Sequence, residues 1–187
     1  MFRRLGAFFL DILEVLVFAI GIFFFVYLLI MRPHKIKGSS MYPTYLDSEF
    51  LLTEKVSYYL HEPKRGDVVV FKPPVSEDEY IKRIIALPGD TISINNGKFY
   101  INGTLLNESY LGSDVYTSGG TYLEEGAQKT IPEGNYLAVG DNREHSFDSR
   151  SWGPITKDVI AGRAWIIYWP PKKAGVVKPV EYQSIRK

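Results

Sequence analysis

Hydrophobic and polar positions follow two different patterns along this chain. From Val15 to Met31 the sequence VLVFAIGIFFFVYLLIM runs 17 residues without a charge, and Leu5 to Leu10 extends the apolar pattern upstream, interrupted by Asp11 and Glu14. At about 1.5 Å per residue, roughly 17 to 25 helical residues cross a hydrocarbon core of roughly 30 Å, so one membrane-spanning helix over about residues 7–31 is predicted. The run has no polar face of the kind a core helix keeps. It is followed by Arg32-Pro33-His34-Lys35 instead of a small-x-small cleavage site, so the anchor is expected to stay attached. Arg3 and Arg4 lie on one side, and Arg32, Lys35 and Lys37 on the other, so flanking charge alone does not decide orientation.

Beyond residue 37 the pattern changes to short runs enriched in β-branched and aromatic residues, separated by Gly, Pro, Asn or Asp. Leu51–Val56, Asp67–Lys72, Tyr80–Leu87, Thr91–Ile94, Lys98–Ile101, Tyr136–Val139 and Arg163–Trp169 are predicted strands. Asn96-Gly97 lies between two of them, where residues that tolerate positive φ fit a tight hairpin, and Asn102-Gly103 offers a second turn. Residues 112–129, GSDVYTSGGTYLEEGAQK, are polar and glycine-rich and are expected to form a surface excursion. The tail from Pro170 is expected to be loosely ordered. The predicted architecture is therefore mainly β: a 1–37 anchor with its flanks, then a β-rich domain over residues 38–187.

Composition narrows the function classes. Of 187 residues, roughly 150 remain for one soluble domain, enough for a real core. Lys and Arg total 22 against 21 Asp and Glu, with no dense basic block, so no nucleic-acid partner is expected. The chain has no cysteine, which excludes disulfides and thiolate metal sites. No cofactor and no metal is expected. The matches Asn102-Gly103-Thr104 and Asn107-Glu108-Ser109 to the N-glycosylation pattern are assigned no role.

Three segments carry candidate chemistry. Gly38-Ser39-Ser40-Met41-Tyr42-Pro43-Thr44 offers a nucleophile, Ser40, just beyond the apolar run. Lys82 stands among Ile81, Ile84 and Ile85, where burial can lower an amine's pKa from about 10.4 until it serves as a base. Each alone is ordinary turn or strand chemistry; together they form a dyad that hydrolyses without histidine, although spacing does not say whether they meet. Strand alternation points Arg83 away from Lys82. The third segment, Gly140 to Arg150 (GDNREHSFDSR), is dense enough in Asp, Asn, Ser and Arg to make a hydrogen-bonded loop. It lacks the register of a calcium loop. A Ser40/His145 triad with Asp141 or Asp148 is chemically reasonable, whereas His34, in the basic flank, and His61, beside Glu62-Pro63, are less eligible.

These boxes, spread over Ile36 to Trp169, resemble the type I signal peptidases of bacteria, membrane-anchored Ser/Lys serine proteases that remove signal peptides from exported proteins. They are S-M-x-P-T at Ser40 to Thr44, R-G-D-V-V-V-F at Arg65 to Phe71, K-R-x-x-x-x-P-G-D at Lys82 to Asp90, and G-D-N-R-x-x-S-x-D-S-R at Gly140 to Arg150. The resemblance implies Ser40 as nucleophile, Lys82 as general base, Ser146 as a serine that hydrogen-bonds and orients the lysine, and Asp141, Arg143, Asp148 and Arg150 as supporting residues. His145 falls at an unspecified position of that motif, which weakens the triad.

The resemblance also implies an antiparallel β-sheet catalytic domain with a smaller accessory region, an extracytoplasmic site and a cytoplasmic N-terminus in the cell membrane. The implied partners are signal peptides of secreted preproteins and the lipid bilayer, with Ile36, Tyr80 and Ile81 as candidate substrate contacts. Some members carry a hydroxyl residue two positions before the nucleophile for the oxyanion hole; here it is Gly38, which leaves one donor unassigned. Three alternatives stay open: a noncatalytic membrane-anchored β-domain, a specialised pilus or secretion-system processing peptidase, and a Ser/Lys self-cleaving repressor. The apolar N-terminus argues against the repressor.

Overall fold

A long apolar run, broken only by Asp11 and Glu14 after the first turns, makes a helix that is buried against no other part of the chain among the described residues. In the computed structural model, which describes residues 2–180 and 182, helix α1 (Phe2–Phe25) includes the stretch Gly6–Phe25, of mean hydropathy 2.5 and unburied throughout. At about 1.5 Å per residue α1 is about 36 Å long, enough for a hydrocarbon core of roughly 30 Å. The helix stops short of the predicted Met31. A π turn (Val26–Ile30) closes it, the Met31 N–H donates to the Val26 carbonyl, and strand β1 (Met31–Lys35) starts at once.

The basic flank that composition assigned to the anchor is thus built into the sheet. β1 pairs antiparallel with β2 (Phe50–Glu54), the Ile36 N–H donates to the Glu49 carbonyl at 2.8 Å, and Ile36 is buried. Pro33 is tolerated because β1 is an edge strand, where one row of N–H groups has no partner to lose.

The run predicted over Leu51–Val56 ends at Glu54, because the Glu54 carboxylate accepts from the Ser57 N–H and draws the chain into the short helix α2 (Val56–Leu60). β3 (Val68–Phe71), β4 (Tyr80–Ala86), β5 (Thr91–Asn95), β6 (Lys98–Ile101) and the two-residue β7 (Thr104–Leu105) follow. After them come β8 (Gln128–Thr130), β9 (Asn135–Val139), the single turn α3 (Ser149–Trp152), β10 (Ile155–Thr156), β11 (Ile160–Trp169) and β12 (Gly175–Val176). Both Asn-Gly pairs make the tight hairpins expected of them: β5–β6 turns at Asn96 and Gly97 (φ 50° and 69°), and β6–β7 at Asn102 and Gly103 (φ 52° and 77°).

All ladders between these strands are antiparallel. The large sheet runs β1-β2-β11-β3-β4-β9-β10, with β12 on β11, and the smaller sheet runs β7-β6-β5-β8. One apolar cluster joins the two: Ile85, Ala86, Leu137 and Val139 of the large sheet pack with Ile92, Ile94, Phe99 and Ile101 of the small one. A second cluster (Ile36, Met41, Tyr45, Leu51, Val68, Val70, Ala164) lies under the segment that follows β1. The mainly antiparallel β architecture with a smaller accessory sheet is thus as predicted.

The C-terminal segment departs from expectation. Beyond Pro170, β12 pairs with β11, Val177 packs on the second cluster, and Tyr182 packs on the first. The segment is pinned by Lys173, whose Nζ stands 2.9 Å from the buried Glu49 carboxylate.

Candidate active site

Ser40 and Lys82 are 42 positions apart in sequence, and the sheet brings them together. Ser40 lies on the turn after Ile36, held by antiparallel contact with β2, and Lys82 is the third residue of β4, paired with Val69 of β3. Lys82 Nζ and Ser40 Oγ are hydrogen-bonded at 2.6 Å. The lysine is 3% exposed, and burial moves its pKa down from 10.5 to about 8; Asp148 and Asp141 oppose that shift and Arg150 assists it. An amine so placed is neutral in a sizeable fraction of molecules at mildly alkaline pH and is already in contact with the hydroxyl it would deprotonate.

Three groups hold the serine's turn. The Asn142 N–H donates to the Ser40 carbonyl at 3.0 Å, and Asn142 Nδ2 donates to the Ser39 carbonyl at 3.0 Å. Gly38, at φ +85°, gives its N–H to Asp47 Oδ1 at 2.7 Å. Gly140 packs against the same turn: a Cβ there would meet Ser146 Oγ and, at 2.5 Å, the Ser40 carbonyl oxygen. Position 140 therefore admits only glycine without displacing Ser40. The Ser40 N–H donates to no group among the described residues and is free for a developing oxyanion.

The motif residues behind this turn form a buried ionic lattice. Asp141 takes two bonds from Arg83, Nε to Oδ1 at 2.9 Å and Nη2 to Oδ2 at 2.6 Å, and Arg83 Nη1 reaches the Gly66 carbonyl at 3.0 Å. Asp148 accepts from the Gly140 N–H and from Arg150 Nε and Nη2. Arg150 also donates to the carbonyls of Ser118, Arg143 and Ser146, while Arg143 bridges the Gly140 carbonyl, Glu108 and Thr117. All four motif residues are buried. The polar 112–129 excursion is thus clamped at Thr117 and Ser118 by Arg143 and Arg150 of the 140–150 loop.

Two expectations meet a different arrangement. The side-chain oxygen of Ser146 is buried and makes no hydrogen bond among the described residues, so it is not bonded to Lys82; it is pressed against Gly140. His145 is exposed on a 3₁₀ turn (Arg143–His145), and its ring bonds to none of Ser40, Asp141 and Asp148, so no triad forms. Arg83, Gly140 and Asn142 stand in the quoted motifs without an assigned role, and Glu108 was given none; all four make contacts in this lattice or hold the Ser40 turn. Arg83 had a visible signal, a charge inside an apolar strand run, whereas Glu108 sits in a loop without pattern.

A cleft of about 830 Å³ opens over the dyad. Its rims are the residue 33–40 segment and the residue 77–82 segment, with His145 and Phe147 near Ser40. Ile36, Tyr80 and Ile81 all line it, and so does His34, which composition had relegated to the membrane flank. β9 pairs with β4 only from Arg83 onward, so among the described residues the edge of residues 80–82 facing away from β3 is open, as is the outer edge of β1. An extended peptide can hydrogen-bond between such edges.

Comparison with known proteins adds three findings. The family described as "Signal peptidase, peptidase S26" matches residues 9–169. The chain is 38% identical over 167 residues to a "Probable signal peptidase I-2" of Synechocystis sp., covering 86% of this chain and 72% of that protein. It is 37% identical over 163 residues to "Signal peptidase IB" of Staphylococcus aureus, covering 81% and 85%.

Proposed function

This chain belongs to the signal peptidase family, peptidase S26, and on that premise we propose that it removes N-terminal signal peptides from preproteins with Ser40 as nucleophile and Lys82 as general base. The observation that carries the assignment is the 2.6 Å contact between a buried, pKa-lowered lysine and a serine at the floor of an open-edged cleft.

The cycle follows from the geometry. Neutral Lys82 takes the Ser40 proton as Oγ attacks the carbonyl carbon of the scissile bond, and the oxyanion is met by the Ser40 N–H. The tetrahedral centre collapses, protonated Lys82 delivers its proton to the departing amine, and an ester to Ser40 remains. A water molecule then attacks the ester as Lys82 accepts its proton, the tetrahedral centre collapses to release the carboxyl product, and Lys82 returns the proton to Ser40 Oγ, which restores the free enzyme. Ile36, Tyr80 and Ile81 form the wall against which the residues before the cut lie. The Asp141, Arg143, Asp148 and Arg150 lattice positions the loop behind the nucleophile and does not touch the reacting atoms.

Helix α1 is the membrane anchor, with the N-terminus cytoplasmic and the β-domain on the far side. Signal peptides are themselves embedded in the bilayer, so anchoring raises their effective concentration at the cleft. The test is cleavage of a preprotein with small residues at the first and third positions before the cut, in detergent micelles, across pH. Wild type should show an acid limb near pH 8, set by Lys82. Ser40→Ala and Lys82→Ala should be folded and inactive, and His145→Ala should retain most activity. Loss of activity in His145→Ala with Lys82→Ala still active would replace the dyad by a triad.

A further inference from the structure

The cleft extends beyond the dyad, and its chemistry changes along the way. Ile36 and Ile81 face it from opposite rims and belong to one apolar cluster. Successive side chains of extended chain alternate faces, so residue 34 shares a face with 36, and 79 with 81, at a repeat of about 6.6 Å. At that next step the apolar wall gives way to a polar pair: His34 Nδ1 and Glu79 Oε2 lie 3.1 Å apart, across the cleft. The imidazole is braced from behind, its Nε2 being 2.9 Å from Thr53 Oγ1. The Glu79 side chain is 45% exposed and that of His34 15%, so it is mainly the carboxylate that a ligand meets.

Of the other charged residues that line the cleft, Lys35 lies over the Phe50 ring at 5.7 Å and Glu77 is paired with Lys72, while Lys37 on one rim and Asp78 on the other carry opposite charges. Burial lowers the His34 pKa from 6.5, outweighing the opposing influence of Glu79. Burial thus favours the uncharged imidazole, which as a neutral donor leaves the exposed Glu79 carboxylate open to a cationic ligand.

Resting on the function proposed above, we infer that His34 and Glu79 form a specificity subsite that reads the fifth residue before the scissile bond and prefers a cationic side chain there to an anionic one. In an extended substrate whose first and third side chains face the Ile36–Ile81 wall, the fifth falls two residues farther along the same face, onto the pair. A lysine or arginine there gains a charge-assisted bond to Glu79, and an aspartate or glutamate meets a like charge.

The test uses the full chain in detergent and three preproteins identical except for Lys, Ala or Glu at the fifth position before the cut, compared by kcat/KM. Wild type should favour Lys over Glu at least fivefold, with Ala between them. Glu79→Gln should bring the ratio close to one, and Glu79→Lys should invert it. Thermal melts accompany each variant, and the isosteric Glu79→Gln carries the test if Glu79→Lys does not fold. Equal cleavage of all three by wild type, or an unchanged ratio in Glu79→Gln, would overturn the subsite while leaving the peptidase assignment standing. Cleavage of none would overturn that assignment and the subsite with it.

Discussion

Lys82 is the residue at which function and stability oppose each other. Its pKa is near 10.5 in the unfolded chain and about 8 in the folded one, so between those values the unfolded state binds more protons and stability rises with pH. Below about pH 8 both states are protonated and the full penalty applies, about 3 kcal/mol for a shift of this size. Lys82→Met, which keeps the volume and removes the charge, should therefore raise stability at pH 7 by about 1 to 3 kcal/mol, less the lost contact with Ser40. The gain should shrink to nothing by about pH 10.5, as read from urea midpoints across pH. A Lys82→Met protein no more stable at pH 7 than the wild type would mean the amine is not strained by burial. The residue was legible in sequence as a charge inside an apolar run, and so was Ser40 in its turn. Their contact was not, because Ser40 sits on a turn held beside β2 and Lys82 on β4, and no local pattern says that the sheet brings these together. The bond expected from Ser146 to Lys82 is not formed among the described residues, where its hydroxyl is buried beside Gly140 without a hydrogen bond.

Among the elements, the loop between β9 and α3 decides how well the dyad is aimed. Gly140→Ala would push against the Ser40 carbonyl, and small displacements of a nucleophile lower rates by about 100-fold. The expected result is a kcat loss of that order with a modest fall in melting temperature, measured on one preparation. Behind that loop, the Arg83–Asp141 pair is buried on both sides. Removing one partner strands a charge, so Asp141→Leu should lower unfolding free energy by about 3 to 5 kcal/mol, and adding Arg83→Met should restore much of it. If the double variant were no better than the single one, the pair would matter for more than charge compensation.

Element by element, the longer strands were readable because runs of β-branched and aromatic residues stand between Gly, Pro, Asn and Asp, and both hairpins were readable because Asn-Gly accepts positive φ. β7, β8, β10 and β12 are two or three residues long and mostly exposed, so no pattern marks them. β1 was hidden by its charges and by Pro33, which only an edge position permits.

For the whole molecule, an unburied apolar helix and a folded β-domain imply a division of labour. Removing residues 1–29 should leave a domain that cuts a soluble peptide at close to the full-length rate. On preprotein embedded in vesicles it should be slower by about 10²- to 10⁴-fold, the range expected when a tethered encounter becomes a free one. Equal slowing on both substrates would mean that α1 supports the fold.

The join between helix and sheet has a consequence of its own. A π turn passes directly into β1, with the Lys55 N–H donating to the Ile30 carbonyl, so there is no slack between the anchor and the strand that leads to the nucleophile. With α1 as the membrane anchor proposed above, the active site would work at a set height above the bilayer, like a blade fixed to its table. How far a substrate projects from the membrane would then help to select the bond to be cut, and a preprotein with the right residues at the wrong depth would be spared.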